Sequence, residues 1–128
     1  MPNLLIVDDD ANIRALFQYV AEDLGHAVTL AANGQEALAA LAAAAPDFMI
    51  LDVDMPVLSG DGFIRELAKR SVREPHLDKI PFLVMTGENF METGLNAVFA
   101  GRPGFVCFLP KMTPPETVMQ KIAEVLGR

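Results

Sequence analysis

Apolar runs recur along the chain, and longer amphipathic segments separate them. Their hydrophobicity is continuous rather than alternating, which is typical of strands buried on both faces of a sheet. Polar or turn-forming residues flank each of these apolar runs. The sequence therefore predicts five strands, at residues 4–7, 27–31, 48–51, 82–85 and 105–109.

The segments between the first strands carry helical periodicity. The first segment ends at Gly25, and its apolar residues recur with the spacing of one helix face: Ile13, Leu16, Phe17, Val20, Ala21 and Leu24. The second segment begins with Asn33 and Glu36, which have the spacing of a capping box, and it stops at Pro46. Both segments are predicted to be helices.

Two further helices are predicted toward the carboxyl end. One covers residues 61–71, and the last starts at the sequence TPPE. There Thr113 and Glu116 repeat the capping-box spacing, and Pro114 suits a first helical turn. Strands alternating with helices predict a parallel sheet covered on both faces, which is a doubly wound α/β domain.

Length and composition narrow the class of protein. A chain of 128 residues suits one domain, and we expect a single domain over residues 1–128 with no output domain. No apolar run approaches the roughly 20 residues needed to cross a bilayer. The lone Cys107 and the lack of a basic leader favour the cytoplasm. A net charge of -7 disfavours nucleic acid and anionic membranes as partners.

Polar residues follow four of the predicted strands. Asp8–Asp10 follow the first strand, Asp52 and Asp54 the third, Thr86 the fourth and Lys111 the fifth. In a doubly wound sheet the functional site lies beyond the carboxyl ends of the strands. We therefore expect carboxylates, a hydroxyl and a lysine to converge at one edge.

A group of carboxylates requires a cation. Two of them held ~4 Å apart repel by roughly 4 kcal/mol at an effective dielectric of about 20. Oxygen ligands without histidine or cysteine favour a hard cation, and Mg²⁺ suits a sparse site better than Ca²⁺. Lysine and a hydroxyl suit phosphate, and a carboxylate can accept a phosphoryl group covalently. These residues predict phosphoryl transfer to an aspartate.

The motifs IVDDD and ILDVDMP, with the following SG, Thr86 and Lys111, resemble the CheY-like receiver domain of two-component response regulators. This resemblance implies the strand order 2-1-3-4-5 and makes Asp52 the phosphoacceptor. It implies that Asp9 binds Mg²⁺ directly, that Asp8 assists through water, and that the main-chain carbonyl of Asp54 is a further ligand. Asp10 is expected to cap the first helix.

The same resemblance implies how a signal would enter and leave. Thr86 and Phe108 would be switch residues, although Phe108 can equally be a core aromatic, and Lys111 would pair with the phosphate. The donor would be a sensor histidine kinase or a histidine phosphotransfer protein, and the output a protein target. A homodimer through the face of helix 4, strand 5 and helix 5 is also implied. Such a protein catalyses only its own phosphorylation and dephosphorylation.

Two departures from the family pattern keep an alternative open. Met112 stands where the family has a proline joined by a cis peptide, so Lys111–Met112 is expected to be trans or strained. Residues 89–104, interrupted by Gly94, predict a short or mobile fourth helix. Asp54 and Glu88 lie where the family tunes phosphate lifetime. The alternative is a receiver-shaped interaction module that no longer takes phosphate.

Overall fold

The structure of the protein is a computed structural model that describes residues 2–87, 94 and 96–127. Parallel strands form one five-stranded sheet in the order β2-β1-β3-β4-β5. The strands are β1 (Asn3–Val7), β2 (Ala27–Ala31), β3 (Phe48–Asp52), β4 (Phe82–Thr86) and β5 (Phe105–Pro110). The predicted fold class and strand order are confirmed.

Helices follow every strand. They are α1 (Ala11–Asp23), α2 (Gly34–Ala43), α3 (Gly60–Arg70), α4 (Asn96–Ala100) and α5 (Pro115–Leu126). A short 3-10 helix at Pro75–Lys79, before β4, was not predicted. Residues 89–93 and 95 of the predicted fourth helix, and Glu88 before it, lie outside the described residues. Among the helices described, none combines the length and the apolar character that a membrane span requires.

Two apolar layers cover the two faces of the sheet. Leu4 and Ile6 of β1 pack with Phe17 of α1 and Val118 of α5. The intervening residues of β1 point to the opposite face, because successive side chains in a strand alternate. There they join a second cluster that includes Phe63 of α3 and Phe99 of α4. The uninterrupted apolar character of β1 follows from this double burial.

The sheet edge is more exposed than predicted. β2 and β5 lie at the two ends of the sheet, so most of their residues are partly solvent-accessible and the prediction of buried strands there was wrong. On α1, Phe17 is buried, but Leu16 is 47% exposed and Leu24 is 59% exposed. The helical period is right, yet the buried stripe is narrower than the apolar stripe, because a helix against a sheet covers only its central contact line.

The helix starts also differ in detail. Asn33 accepts a hydrogen bond from the Glu36 amide at 2.9 Å, as the capping box predicts, but the Glu36 carboxylate accepts from the Ala32 amide instead of Asn33. The predicted Thr113 cap was wrong. Pro114 is the N-cap of α5 and makes no side-chain cap bond. Pro115 explains this, since a residue before proline is pushed out of the helical region.

Close backbone contacts fix the loop between β3 and α3. The Gly60 amide donates to the Val53 carbonyl at 2.8 Å, and a side chain at Gly60 would meet the Asp52 carbonyl oxygen. The Gly34 amide donates to the Leu58 carbonyl at 2.8 Å. Glycine at these two helix starts therefore lets the loop pack tightly against the end of β3.

The same loop contains a strained residue. Val57 has a φ of 68°, and the Leu58 amide donates to the Pro56 carbonyl at 2.7 Å, which makes a three-residue turn centred on Val57. A β-branched residue with positive φ is an outlier, and such conformations cost on the order of 1–3 kcal/mol. The loop that carries this strain begins directly after the end of β3.

Replacing Val57 by glycine should stabilise the protein. Val57→Gly removes the strain at the cost of backbone entropy, so we expect the free energy of unfolding to rise by about 1 kcal/mol. Urea unfolding followed by circular dichroism measures it. Val72→Gly is the matched control, because Val72 is 82% exposed against 81% for Val57 and lacks the positive φ. Equal effects of the two substitutions would contradict strain at Val57.

Candidate functional site

Carboxylates from two neighbouring strands meet at the carboxyl edge of the sheet. Val7 of β1 pairs with Leu51 of β3, so the residues that follow them, Asp8 and Asp52, are adjacent. Oxygens of Asp8, Asp9 and Asp52 all lie within 4.8 Å of one another. Asp52 is 1% exposed, Asp8 is also buried, and Asp9 is exposed. The predicted convergence of these three residues is confirmed.

The turn after β1 orders Asp8. The Asp10 amide donates to Asp8 Oδ1 at 2.9 Å. Asp10 Oδ1 in turn accepts from the Asn12 amide at 2.8 Å, so Asp10 caps α1 as predicted. Arg14 donates from Nη1 to the main-chain carbonyl of Asp8 at 2.7 Å. Sequence reasoning missed Arg14, because a lone arginine on an amphipathic helix carries no signal of which carbonyl it will reach.

Lys111 approaches the same carboxylates from the end of β5. Its Nζ lies 2.9 Å from Asp52 Oδ1, and the Lys111 side chain is 41% exposed. Burial lowers the pKa of Lys111, but the ion pair with Asp52 raises it more, so the net shift is upward. Despite the short ion-pair distance, neither buried oxygen of Asp52 accepts a hydrogen bond of good geometry from the described residues.

Burial controls the protonation of the carboxylates. Desolvation, aided by the charge of Asp8, raises the pKa of Asp52 to about 6, although Lys111 acts in the opposite direction. Desolvation also raises the pKa of Asp8 against the Asp10 amide and Lys111, which lower it. The ionised form of each carboxylate is therefore disfavoured by its surroundings. A nearby cation would reverse that balance.

The residues fit a hard divalent cation. Both carboxylate oxygens of Asp52 are buried, Oδ2 has no hydrogen-bond partner among the described residues, and two further carboxylates lie within one ion's reach. The cluster contains no histidine or cysteine, which suits Mg²⁺ rather than a transition metal. Asp54 lies in the loop after β3 with an exposed side chain and is not part of the carboxylate cluster.

Thr86 and Phe108 occupy neighbouring strands. Thr86 pairs with Pro110, its hydroxyl donates to the Leu109 carbonyl at 3.4 Å, and its own carbonyl accepts from the Lys111 amide at 2.9 Å. Phe108 packs edge-on against Phe99 of α4, with ring centroids 6.2 Å apart. Thr86 is thus tied to Lys111, and Phe108 to α4.

Met112 stands where the family pattern has a proline, and the peptide bond before it adopts the ordinary geometry. The described residues contain no cis peptide bond, so Lys111–Met112 is trans. Met112 is 91% exposed. Together with Lys111, Asp8, Asp10 and several apolar residues, it lines a cavity of about 190 Å³. Lys111 still reaches Asp52 with this trans geometry.

Comparison with known proteins assigns the family. A family model described as the response regulator receiver domain matches residues 4–123. The chain belongs to this family. Receiver domains of this kind are modules of two-component signalling, and they interact with histidine kinases and downstream effectors. The resemblance drawn from the motifs is confirmed at the level of the whole domain.

Individual relatives agree with this assignment. CheY4 of Vibrio cholerae, a chemotaxis response regulator, has 32% sequence identity and a TM-score of 0.81, with 98% of each chain covered. The crystal structure of a putative response regulator from Chloroflexus aurantiacus has 28% identity and a TM-score of 0.80, with 99% of this chain and 98% of that chain covered. The probable transcriptional regulator ycf27 of Cyanidium caldarium is 35% identical over 98% of this chain. That match covers 47% of ycf27, so the chain spans about half the length of the curated relatives it matches.

Neutralising Asp52 should stabilise the protein near neutral pH. The pKa of Asp52 is about 6 in the folded protein and 3.8 as its ordinary value, so the folded state binds more protons between these values. Stability therefore falls as pH rises through this window. The pKa of about 6 already includes the opposing effect of Lys111. Since one pKa unit corresponds to 1.36 kcal/mol, Asp52→Asn should gain about 1–3 kcal/mol at pH 7.5.

Urea unfolding in EDTA at pH 4 and pH 7.5 measures this difference. The gain should be much smaller at pH 4, where Asp52 is protonated in the folded state. Asp54→Asn, at an exposed carboxylate two positions along the chain, is the control and should change stability little at either pH. A gain for Asp52→Asn that is equal at the two pH values, or a loss at pH 7.5, would contradict an unfavourable buried charge.

Proposed function

We propose that the protein is a phosphoacceptor receiver that takes a phosphoryl group onto Asp52. The donor is a phosphohistidine on a sensor histidine kinase or a histidine phosphotransfer protein. The observation that carries this proposal is the buried Asp52 carboxylate, which lies among two other carboxylates with a lysine 2.9 Å from one oxygen. Membership of the receiver family supports the same reaction.

The reaction requires little covalent chemistry from other residues. A carboxylate oxygen of Asp52 attacks phosphorus and forms an acyl phosphate, while the phosphorus–nitrogen bond breaks and its electron pair stays on the imidazole of the donor. Lys111 pairs with the negatively charged phosphoryl oxygens while the group moves from the donor to Asp52. Thr86 ends β4 at the same edge, and its hydroxyl would exchange its bond to the Leu109 carbonyl for one to another of these oxygens.

Asp8, Asp9 and Asp52, with the main-chain carbonyl of Asp54, are the proposed ligands of Mg²⁺. When bound, the ion would neutralise the charge of the phosphoryl oxygens beside Asp8 and Asp9. By analogy with the family, Asp9 would hold the ion directly and Asp8 would hold it through water. Because burial disfavours the ionised forms of Asp8 and Asp52, a bound cation and these carboxylates would stabilise each other. Hydrolysis of the acyl phosphate regenerates the free Asp52 carboxylate. In this proposal the protein catalyses only its own phosphorylation and dephosphorylation, and it turns over no external metabolite.

The signal leaves through the face formed by α4, β5 and α5. Two contacts support this route: the Thr86 carbonyl accepts from the Lys111 amide at 2.9 Å, and the Phe108 ring packs on Phe99 of α4. A change at Thr86 on phosphorylation would therefore reach both β5 and α4. The proposed output is contact with a protein target, or with a second copy of this chain, at this face. A net charge of -7 supports a protein partner rather than nucleic acid or an anionic membrane. The proposed location is the cytoplasm.

Acetyl phosphate, a small-molecule donor, tests the proposal without the cognate kinase. Incubation with Mg²⁺ should add one phosphoryl group, measured by intact mass, and peptide mapping after borohydride trapping should locate it at Asp52. The gain should vanish in EDTA and in Asp52→Asn. Asp23→Asn, at an exposed carboxylate at the end of α1, should be phosphorylated as the wild type is.

The alternative function makes the opposite prediction. A receiver-shaped interaction module that no longer takes phosphate would gain no mass in a folded sample and would also fail to bind beryllofluoride with Mg²⁺. The replacement of proline by Met112 is the observation that favours this alternative. The retained ion pair between Lys111 and Asp52 at 2.9 Å favours the phosphoacceptor instead.

A further inference from the structure

Arg14 reaches back from α1 to the end of β1. Its main-chain amide donates to the Asp10 carbonyl at 3.0 Å in the first turn of the helix, and its Nη1 donates to the Asp8 carbonyl at 2.7 Å. The guanidinium keeps its charge at any pH of interest, so the bond to Asp8 is charge-assisted. Arg14 therefore connects the helix to the residue that begins the carboxylate cluster.

Asp8 is held by three different elements. Its amide donates to the Ala31 carbonyl of β2 at 3.1 Å, and its Oδ1 accepts from the Asp10 amide at 2.9 Å. Arg14 supplies the third bond, to the carbonyl. The strand, the turn and the helix together fix the main chain of Asp8 and one carboxylate oxygen. These three bonds do not use the second carboxylate oxygen, Oδ2.

We propose that Arg14 is a positioning residue for the cation site. By holding the Asp8 carbonyl, it fixes the direction in which the Asp8 carboxylate points toward Asp52. The proposal rests on the proposed function, because the cation concerned is Mg²⁺. Mutation of a residue that orients a metal ligand without touching the metal typically weakens metal binding by about 10–100-fold.

Positioning and simple electrostatics predict opposite results for removal of Arg14. Arg14 is a cation beside Asp8, Asp9 and Asp10. Loss of its charge alone would make the region more negative and would strengthen Mg²⁺ binding. Loss of positioning would weaken binding, because the Asp8 carboxylate would no longer be held in place. The sign of the change in Mg²⁺ affinity therefore separates the two roles.

Arg14→Met removes the charge and the donor while keeping an apolar stem. The matched control is Arg65→Met, which changes net charge equally. Arg65 is an exposed residue of α3 that pairs with Asp61 at 2.6 Å, and neither lies in the carboxylate cluster. Calorimetric titration of the unphosphorylated protein with MgCl₂ at constant ionic strength gives the dissociation constant. We expect Arg14→Met to bind Mg²⁺ about tenfold more weakly and Arg65→Met to bind as the wild type does.

A second readout excludes a merely structural effect. In phosphorylation by acetyl phosphate, the Mg²⁺ concentration for half-maximal rate should rise in Arg14→Met by the same factor, while the rate at saturating Mg²⁺ stays near that of the wild type. A general loss of folding would lower the saturating rate instead. If Arg14→Met does not fold, Arg14→Lys carries the comparison. It keeps the charge but not the planar guanidinium, so weaker Mg²⁺ binding is again expected.

The outcomes separate this inference from the proposed function. Mg²⁺ binding by Arg14→Met as tight as, or tighter than, that of the wild type overturns the positioning role even if Asp52 is phosphorylated. Weaker binding by Arg14→Met in a protein that takes no phosphoryl group supports positioning and overturns the phosphoacceptor. Failure of the wild type to bind Mg²⁺ overturns both.

Discussion

The buried carboxylate of Asp52 is the constraint on which the rest of the structure depends. It is 1% exposed, and burial together with the charge of Asp8 opposes its ionisation, with Lys111 as the nearby compensating charge. An ionised group held inside a protein without full compensation costs free energy. The site therefore gains stability when a cation arrives, and a phosphoryl group on Asp52, which carries more negative charge than the free carboxylate, would increase the need for that cation.

The layers around the site maintain this unfavourable arrangement. β1 and β3 are buried on both faces, so the strands that carry Asp8 and Asp52 cannot separate to relieve the repulsion. The close approach of Gly60 to the Asp52 carbonyl and the strained turn at Val57 fix the loop that follows. A well-packed core thus offsets strain and charge repulsion that are concentrated at one edge of the sheet.

The sequence predicts the elements and the convergence of carboxylates well, because both follow from the alternation of strands and helices. Continuous apolar runs identified all five strands, but the same pattern could not distinguish the edge strands β2 and β5 from the central ones. Leu16 and Leu24 fit the helical period and still face solvent. The contact from Arg14 to Asp8 depends on a side-chain conformation, and the capping of α5 by Pro114 depends on which of two prolines enters the helix.

A titration of the Asp52 carboxyl carbon by ¹³C NMR, with and without Mg²⁺, tests the central claim most directly. Without Mg²⁺ the account predicts a midpoint of about 6, because burial disfavours the charged form. Saturating Mg²⁺ should shift the midpoint well below that value, because the cation stabilises the carboxylate. A midpoint at the ordinary value of 3.8 without Mg²⁺, or one that Mg²⁺ does not move, would contradict the account.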